Sequence, residues 1–260
     1  MRKIESLDEL HHILLDIAKS FHQICVDEGI PYFMAAGTLL GAARHSGFIP
    51  WDDDMDFIVP RADFSNLKSI LNQKLPSHYK VMGREEGIVV SGIYKIVDDR
   101  TEQDYRWSIN HKVHFGVNID IFPLDYSKTT WKRIAIQKLR VLQGLKGLDA
   151  SVRPFPKNLI AYLTKGLLSF TEDDLLQNII DTKLIETDGP FLINHYGAYG
   201  NREVMPKELF DHKVLMSFED TQFYGMERFD EYLRIMYGNY MQIPPVEKRH
   251  THLSNIYWKQ

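Results

Sequence analysis

Apolar positions fall at helical spacing from the start of the chain. Leu10, Ile13, Leu14, Ile17, Phe21, Ile24 and Cys25 share one face. Ser6-Leu7-Asp8-Glu9 ahead of them has the S-x-x-E form of a capping box. Gly29 and Pro31 stop the run, so the pattern predicts a helix over 7–28. A short apolar run at 32–36 predicts a buried strand, and 39–45 a short helix that ends at Gly47. Residues 55–59 read as a strand closed by Pro60. Phe64, Leu67, Ile70 and Leu71 mark a helix over 63–75, stopped by Pro76. Three further runs, 79–82, 88–97 and 113–122, are rich in β-branched and aromatic residues and predict strands. Helical patterns then dominate, at 130–148, 158–169, 173–186 and 227–237, with Arg153-Pro154-Phe155-Pro156 between the first two and Gly238 after the last. No repeat or low-complexity tract interrupts them. The expected fold is α/β (α+β): a mixed sheet flanked by helices, followed beyond about 126–130 by a mostly helical region.

Composition adds limits. A chain of 260 residues, 44% apolar and 25% charged, is globular rather than disordered. A formal charge of −4 and an isoelectric point near 6.3 argue against a general nucleic-acid binder. Cys25 is the one cysteine, so no internal disulfide or thiolate metal site exists, which fits a reducing cytoplasm. The polar N-terminus and the lack of an apolar run near eighteen residues predict a cytoplasmic protein, at most peripheral to a membrane. Charge is uneven. From Ser127 to Phe170 there are nine Lys or Arg against one Asp, net +8, which leaves −12 for the remainder. That asymmetry suggests an anionic partner.

The candidate chemistry lies in Phe48-Ile49-Pro50-Trp51-Asp52-Asp53-Asp54-Met55-Asp56-Phe57-Ile58-Val59, where carboxylates run into the start of an apolar strand. Residues two apart on a strand share a face, so Asp54 and Asp56 are expected to project together. Neighbouring carboxylates at a buried strand are costly unless a hard cation sits between them. Asp120 interrupts another apolar strand, Val117-Asn118-Ile119-Asp120-Ile121-Phe122, and would complete a three-carboxylate cradle if the two strands are adjacent. A calcium loop is a poor fit, because Phe57 and Asp63 stand where that loop needs Gly and Glu. Seventeen residues before Asp54, Gly37-Thr38 opens a helix; Thr caps helices well, and a helix N-terminus offers N–H groups to a phosphate. Arg44 and Lys95 are candidates for phosphate oxygens, with Asp52 and Asp53 orienting the metal ligands or coordinating through water. Trp51 is an expected anchor for the acidic loop. Tyr105, Trp107, Phe115 and Tyr126 are further aromatics near these strands in sequence, and most aromatics in the chain are expected in the core. His250-x-His252 is a weak metal pattern, with no cysteine nearby.

The segment from Ala36 through Gly37-Thr38-Leu39-Leu40-Gly41 and Pro50-Trp51-Asp52-Asp53-Asp54-Met55-Asp56 closely resembles the signature of the LicD family. Lys95 within Tyr94-Lys95-Ile96-Val97 resembles a family strand bearing a basic residue, and Ile119-Asp120-Ile121 the second acidic strand. His195-Tyr196-Gly197, Tyr237-Gly238 and Pro244-Pro245-Val246-Glu247-Lys248-Arg249-His250 are similar too. The resemblance implies a nucleotidyltransferase-like catalytic core over 1–126 and a C-terminal segment over 191–260 packed back on it; it covers the middle poorly, where the charge count and helical pattern give a basic helical region over 127–190 expected to face acceptor or membrane. It implies Mg²⁺ or Mn²⁺ on Asp54, Asp56 and Asp120, which are also the catalytic residues, and phosphate contacts from Gly37, Thr38, Arg44, Asp52, Asp53 and Lys95. The implied reaction passes phosphocholine from CDP-choline to a hydroxyl of a glycan or lipid-linked glycan, a teichoic acid or lipopolysaccharide precursor, and releases CMP. The alternatives are another phospho-alcohol or sugar phosphate, such as ribitol or glycerol phosphate, or true nucleotidyl transfer.

Overall fold

A computed structural model describes residues 1–86, 92–103, 115–146, 173–249 and 255–259. The first helix, α1 (Leu7–Asp27), begins where the pattern expects: Ser6 Oγ accepts the Glu9 N–H at 3.2 Å. The reciprocal half of the capping box does not form. The Glu9 carboxylate turns to Arg2 and to the Trp258 indole instead. Gly29, at φ +68°, carries the chain off the helix, a conformation that glycine adopts without strain.

Among the described residues α1 is one of six α-helices, which accompany a mixed sheet, the α/β class that the pattern predicts. After β1 (Arg2–Lys3) and α1 come β2 (Phe33–Met34), α2 (Ala36–His45), β3 (Asp56–Pro60), α3 (Arg61–Lys74), β4 (Tyr79–Met82), β5 (Tyr94–Asp98), β6 (Thr101–Gln103) and β7 (Asn118–Ser127). The second half holds α4 (Thr130–Lys146), α5 (Asp173–Ile179) running into a π turn at Ile180–Leu184, and β8 (Phe191–Ile193) with β9 (Val204–Pro206). It closes with β10 (Lys213–Phe218), β11 (Thr221–Met226), α6 (Phe229–Tyr237) and β12 (Ile256–Trp258).

The main sheet has the order β2-β3-β7-β5-β4, with β8 and β9 added beside the far half of β7. Only the β3–β7 pair is parallel; its register sets Asp56 opposite Asp120. On the other side of β7, antiparallel β5 sets Lys95 opposite the same Asp120. Strand β7 runs five residues beyond the predicted 122, because its second half gains a partner of its own: Asp125 pairs with Ile193 and Ser127 with Phe191. Helix α1 lies against β5 and β7, and α3 against β3, β4 and β7.

The core is aromatic where it supports the acidic loop. Phe21 of α1 meets Phe57 of β3 at 5.1 Å between ring centroids, Phe57 meets Phe223, Phe223 meets Phe218, and Phe218 meets Phe48 at 4.9 Å. The β10–β11 hairpin, which pattern reading missed, thus braces the loop. Glu219 at its tip accepts the Phe48 N–H at 2.9 Å and donates its own N–H to the Ser46 carbonyl at 2.8 Å. A small sheet, β1-β12-β6, joins the two ends of the chain and was equally unforeseen. Most of the expected strand 88–97 before Ile93, the start of 113–122, the helix at 158–169, Tyr105, Trp107, His250 and His252 lie outside the described residues. Among the described residues, no helix is long and apolar enough to cross a membrane.

Candidate active site

Helix α2 starts three residues earlier than predicted. Gly37 and Thr38 therefore lie inside its first turn, and Ala35 stands at the cap position without a side-chain bond. Thr38 does not cap the helix: its buried hydroxyl accepts the Asp56 N–H at 2.8 Å, which ties α2 to the first residue of β3. Ala36 adopts φ +42°, a left-handed conformation that costs an L-residue on the order of 1–2 kcal/mol. Its N–H points at the buried Tyr232 hydroxyl, at 3.5 Å. Gly37 is required by space. A Cβ there would stand 2.6 Å from Asp52 Oδ2, so the acidic loop folds directly onto the first turn of α2.

Asp54 is not part of the β3 ladder, which begins at Asp56. The pleat nevertheless starts earlier: the buried Met55 accepts the Asp120 N–H through its carbonyl at 2.9 Å, and exposure alternates through Asp54, Met55 and Asp56. The carboxylates feel one another strongly. Asp56 is held well above the usual carboxylate range, first by burial, then by the charges of Asp54, Asp120 and Asp52, with Lys95 opposing. Asp52 is pushed up to about 7 by burial, then by Asp54 and Asp53, with Arg44 opposing. Asp53 lies half-buried beside them.

Lys95 pairs with Asp120 and also donates to Asn118 Oδ1 at 3.0 Å. Arg44, at the end of α2, donates to the Tyr240 carbonyl at 2.9 Å and to His45 Nε2 at 2.9 Å. Burial lowers its pKa, while Asp52 and Tyr237 favour its charge. Trp51 packs against the core with the Arg249 guanidinium 4.4 Å above its ring. His11 stacks on Phe48 at 4.0 Å and bonds the Asp52 carbonyl at 2.7 Å, which fixes the loop from the α1 side.

The structure thus gathers Gly37, Thr38, Arg44, Asp52, Asp53, Asp54, Asp56, Lys95 and Asp120 around the adjoining ends of α2, β3, β5 and β7. Of the two remaining described aromatics, Phe115 is buried just before β7, and Tyr126 lies toward the end of β7 opposite the acids. Sequence reading did not assign Asn118, Tyr232, Tyr237 or Arg249 to the site, although Tyr237 and Arg249 lie in stretches similar to the family. Asn118 sits two residues before Asp120, so strand alternation signals it. Neither tyrosine is marked as a site residue by its local pattern. They reach the Asp56 field because α6 packs on α2, and burial raises both hydroxyls first.

Hard oxygen donors that raise one another's protonation suit a hard divalent cation. Asp54, Asp56 and Asp120 are the donors available here. Among the described residues, however, no three His, Cys, Asp or Glu side chains stand ready as a metal cage, and Lys95 engages Asp120.

Residues 29–143 match the sequence profile of a family described as LicD/FKTN/FKRP, nucleotidyltransferase domain. The chain is 31% identical to the lipopolysaccharide cholinephosphotransferase LicD of Haemophilus influenzae over 97% of both chains. It is 30% identical over 111 residues to the mouse ribitol 5-phosphate transferase FKRP, covering 40% of this chain and 19% of that protein. The human FKRP is 28% identical over 108 residues. A mixed α/β sheet with this acidic strand end, read with these similarities, defines a transferase. The chain belongs to the LicD family.

Proposed function

We propose that the protein transfers phosphocholine from CDP-choline to a hydroxyl of a cell-surface glycan precursor, of the lipopolysaccharide or teichoic acid type, and releases CMP. The observation that carries this reading is similarity to a cholinephosphotransferase across 97% of both chains, with the acids and Lys95 gathered at one sheet end. Asp54, Asp56 and Asp120 would hold Mg²⁺ or Mn²⁺, which when bound neutralises charge on the donor's pyrophosphate. Lys95 and Arg44 hold phosphate oxygens by charge. The N–H groups of the α2 first turn, brought close by Gly37, offer further donors. The acceptor oxygen attacks the choline-bearing phosphorus, the bond to the bridging oxygen breaks, and CMP leaves. Asp120, one oxygen of which Lys95 holds, receives the acceptor proton on the other. The acidic loop, anchored by Thr38, His11 and Glu219, keeps these groups oriented.

This reading places the reaction on the cytoplasmic side, peripheral to the membrane at most. Helix α4 carries Lys132, Arg133, Lys138 and Arg140 beside exposed Trp131, Ile134 and Val141, which suits an anionic acceptor or the inner membrane face.

The test is CMP release from CDP-choline with candidate glycan acceptors, with and without EDTA. Asp54→Asn is expected to abolish turnover while retaining the wild-type urea midpoint. Unchanged turnover in that variant, or pyrophosphate as the product, would sink the reading. Similarity to FKRP over 111 residues favours a second cargo, ribitol phosphate. Parallel assays with CDP-ribitol separate the two.

A further inference from the structure

A cavity of about 420 Å³ opens between α4 and the loop that follows β8, at the other end of β7 from the acids. Gln137, Arg140, Val141, Ile193, Asn194 and His195 line it, and the turn through Gly197 and Gly200 forms its rim. Its place follows from the strand. Asp125, the register partner of Ile193, lies five residues beyond Asp120, on the order of 17 Å at about 3.3 Å per residue.

The wall carries an imidazole nitrogen without a hydrogen-bond partner and a guanidinium without an ion pair among the described residues. His195 is only 5% exposed, and its Nδ1 has no hydrogen-bond partner among the described residues. Burial pushes its ring down to about 4, so it is neutral. Arg140 stacks on the Tyr196 ring at 4.4 Å and forms no ion pair with a described residue. The charge around the ring is net positive: Arg61 and Asp125 cancel one another, which leaves Arg140 and Arg133. Asp125 is already neutralised by a bidentate pair with Arg61, at 2.6 and 2.8 Å. Glu203, whose field Arg140 feels, is itself pushed up to about 7 by burial. A half-buried guanidinium and an orphan imidazole nitrogen each cost free energy until an anion with several oxygens meets them.

We propose that this cavity binds a phosphorylated sugar, with the phosphate on Arg140 and His195 and the hydroxyls on the Gln137 and Asn194 amides against Val141 and Ile193. The volume falls within the range of small-ligand pockets, roughly 300–1,000 Å³. The assignment of this sugar to the acceptor rests on the transfer reaction above. Tyr199, beside the rim, meets Tyr237 at 5.2 Å between ring centroids, and Tyr237 lies in the field of Asp56. An acceptor anchored here through its phosphate would pass those two rings to reach the acids, and binding energy gained at a distance would orient the attacking hydroxyl.

Calorimetric titration of the full chain with glucose 6-phosphate, inorganic phosphate and glucose tests this. Glucose 6-phosphate is expected to bind more tightly than either of the others. Arg140→Gln is expected to weaken it at least tenfold, Arg140→Lys less, and Asp54→Asn not at all. Urea midpoints at or above wild type in both Arg140 variants would show that the fold is intact. Absent binding, inorganic phosphate binding as tightly, an unaffected Arg140→Gln, or loss in Asp54→Asn would overturn the pocket. Lack of CDP-choline turnover with glucose 6-phosphate binding intact would overturn the transfer reading alone.

Discussion

Replacing Thr38 by Val changes one buried hydroxyl to a methyl of nearly the same shape. Thr38 is 4% exposed, and its oxygen is the acceptor for the Asp56 N–H at 2.8 Å. Two terms compete. Removing the hydroxyl relieves its desolvation and adds apolar contact, a gain of up to about 1 kcal/mol. It also leaves a backbone donor unsatisfied beneath the sheet, which costs about 1–3 kcal/mol. The second term wins, because the N–H has no other partner among the described residues: Ala35, just past β2, donates to the Asp56 carbonyl and leaves its N–H to Thr38. Urea unfolding should show a net loss of about 1–2 kcal/mol, or roughly 2–8 °C in Tm at about 2–4 °C per kcal/mol for a chain near this size. Turnover should fall further than stability, since Asp56 loses its tether to α2 and small displacements of reacting groups are costly. Thr38→Ser keeps the oxygen and should recover most of the turnover. Thr38→Val with wild-type stability and wild-type kcat would refute the account of Thr38 as a tether.

Arg61→Met strands Asp125, which is fully buried, and should cost about 3–5 kcal/mol in chemical denaturation; the double variant Arg61→Met/Asp125→Leu should recover much of it. Glu203 has its folded pKa raised to about 7 from 4.5, so the folded state binds its proton more tightly and stability falls as pH rises through that window. Glu203→Gln should therefore gain on wild type by about 3 kcal/mol between pH 4.5 and 8, measured by urea midpoints at both ends; a pH-independent difference would contradict it. Lys95→Met should tighten Mn²⁺ binding, measured by calorimetry, while raising the KM for CDP-choline, because one positive charge opposes the ion and helps the phosphates. Movement of both constants in the same direction would exclude that dual role.

Much of this was legible in sequence where one element suffices. The α1 face, the Pro76 stop of α3 and β4 follow from periodicity and punctuation alone. The acids were legible as anomalies, charges set in apolar strands. What failed were features decided by tertiary partners. Thr38 reads as a cap because its chemistry suits one, but the N–H of Asp56 competes for the same oxygen and obtains it. β7 outruns its expected end because β8 pairs with it from 64 or more residues later. The hairpin β10–β11 was missed because Val214 and Leu215 are exposed and Met216 is half-buried, so its first strand lacks a clean alternation. Arg249 over Trp51 joins residues almost 200 positions apart, and neither local pattern hints at the other.

Strand order explains why the acid cluster is tolerated at all. The sequence β3-β7-β5 across the sheet sets Asp56, Asp120 and Lys95 in one row: minus, minus, plus, with neighbours about 4.8 Å apart in the ladder. Like charges directly opposite destabilise a ladder, and the Lys95 pair offsets only one of them. Asp52 and Asp54 add two more carboxylates against Arg44, which is partly tied to Tyr240 and His45. A row of this kind weakens the free protein, visible in the raised Asp56 and Asp52. Under the proposed reaction its sign would reverse with a divalent cation and a diphosphate bound, because the cation would meet the carboxylates while Lys95 and Arg44 would meet the phosphates. Stability would then be withheld from the free chain at the sheet end where a charged ligand restores it, which is the arrangement expected of a site selected for binding rather than for folding.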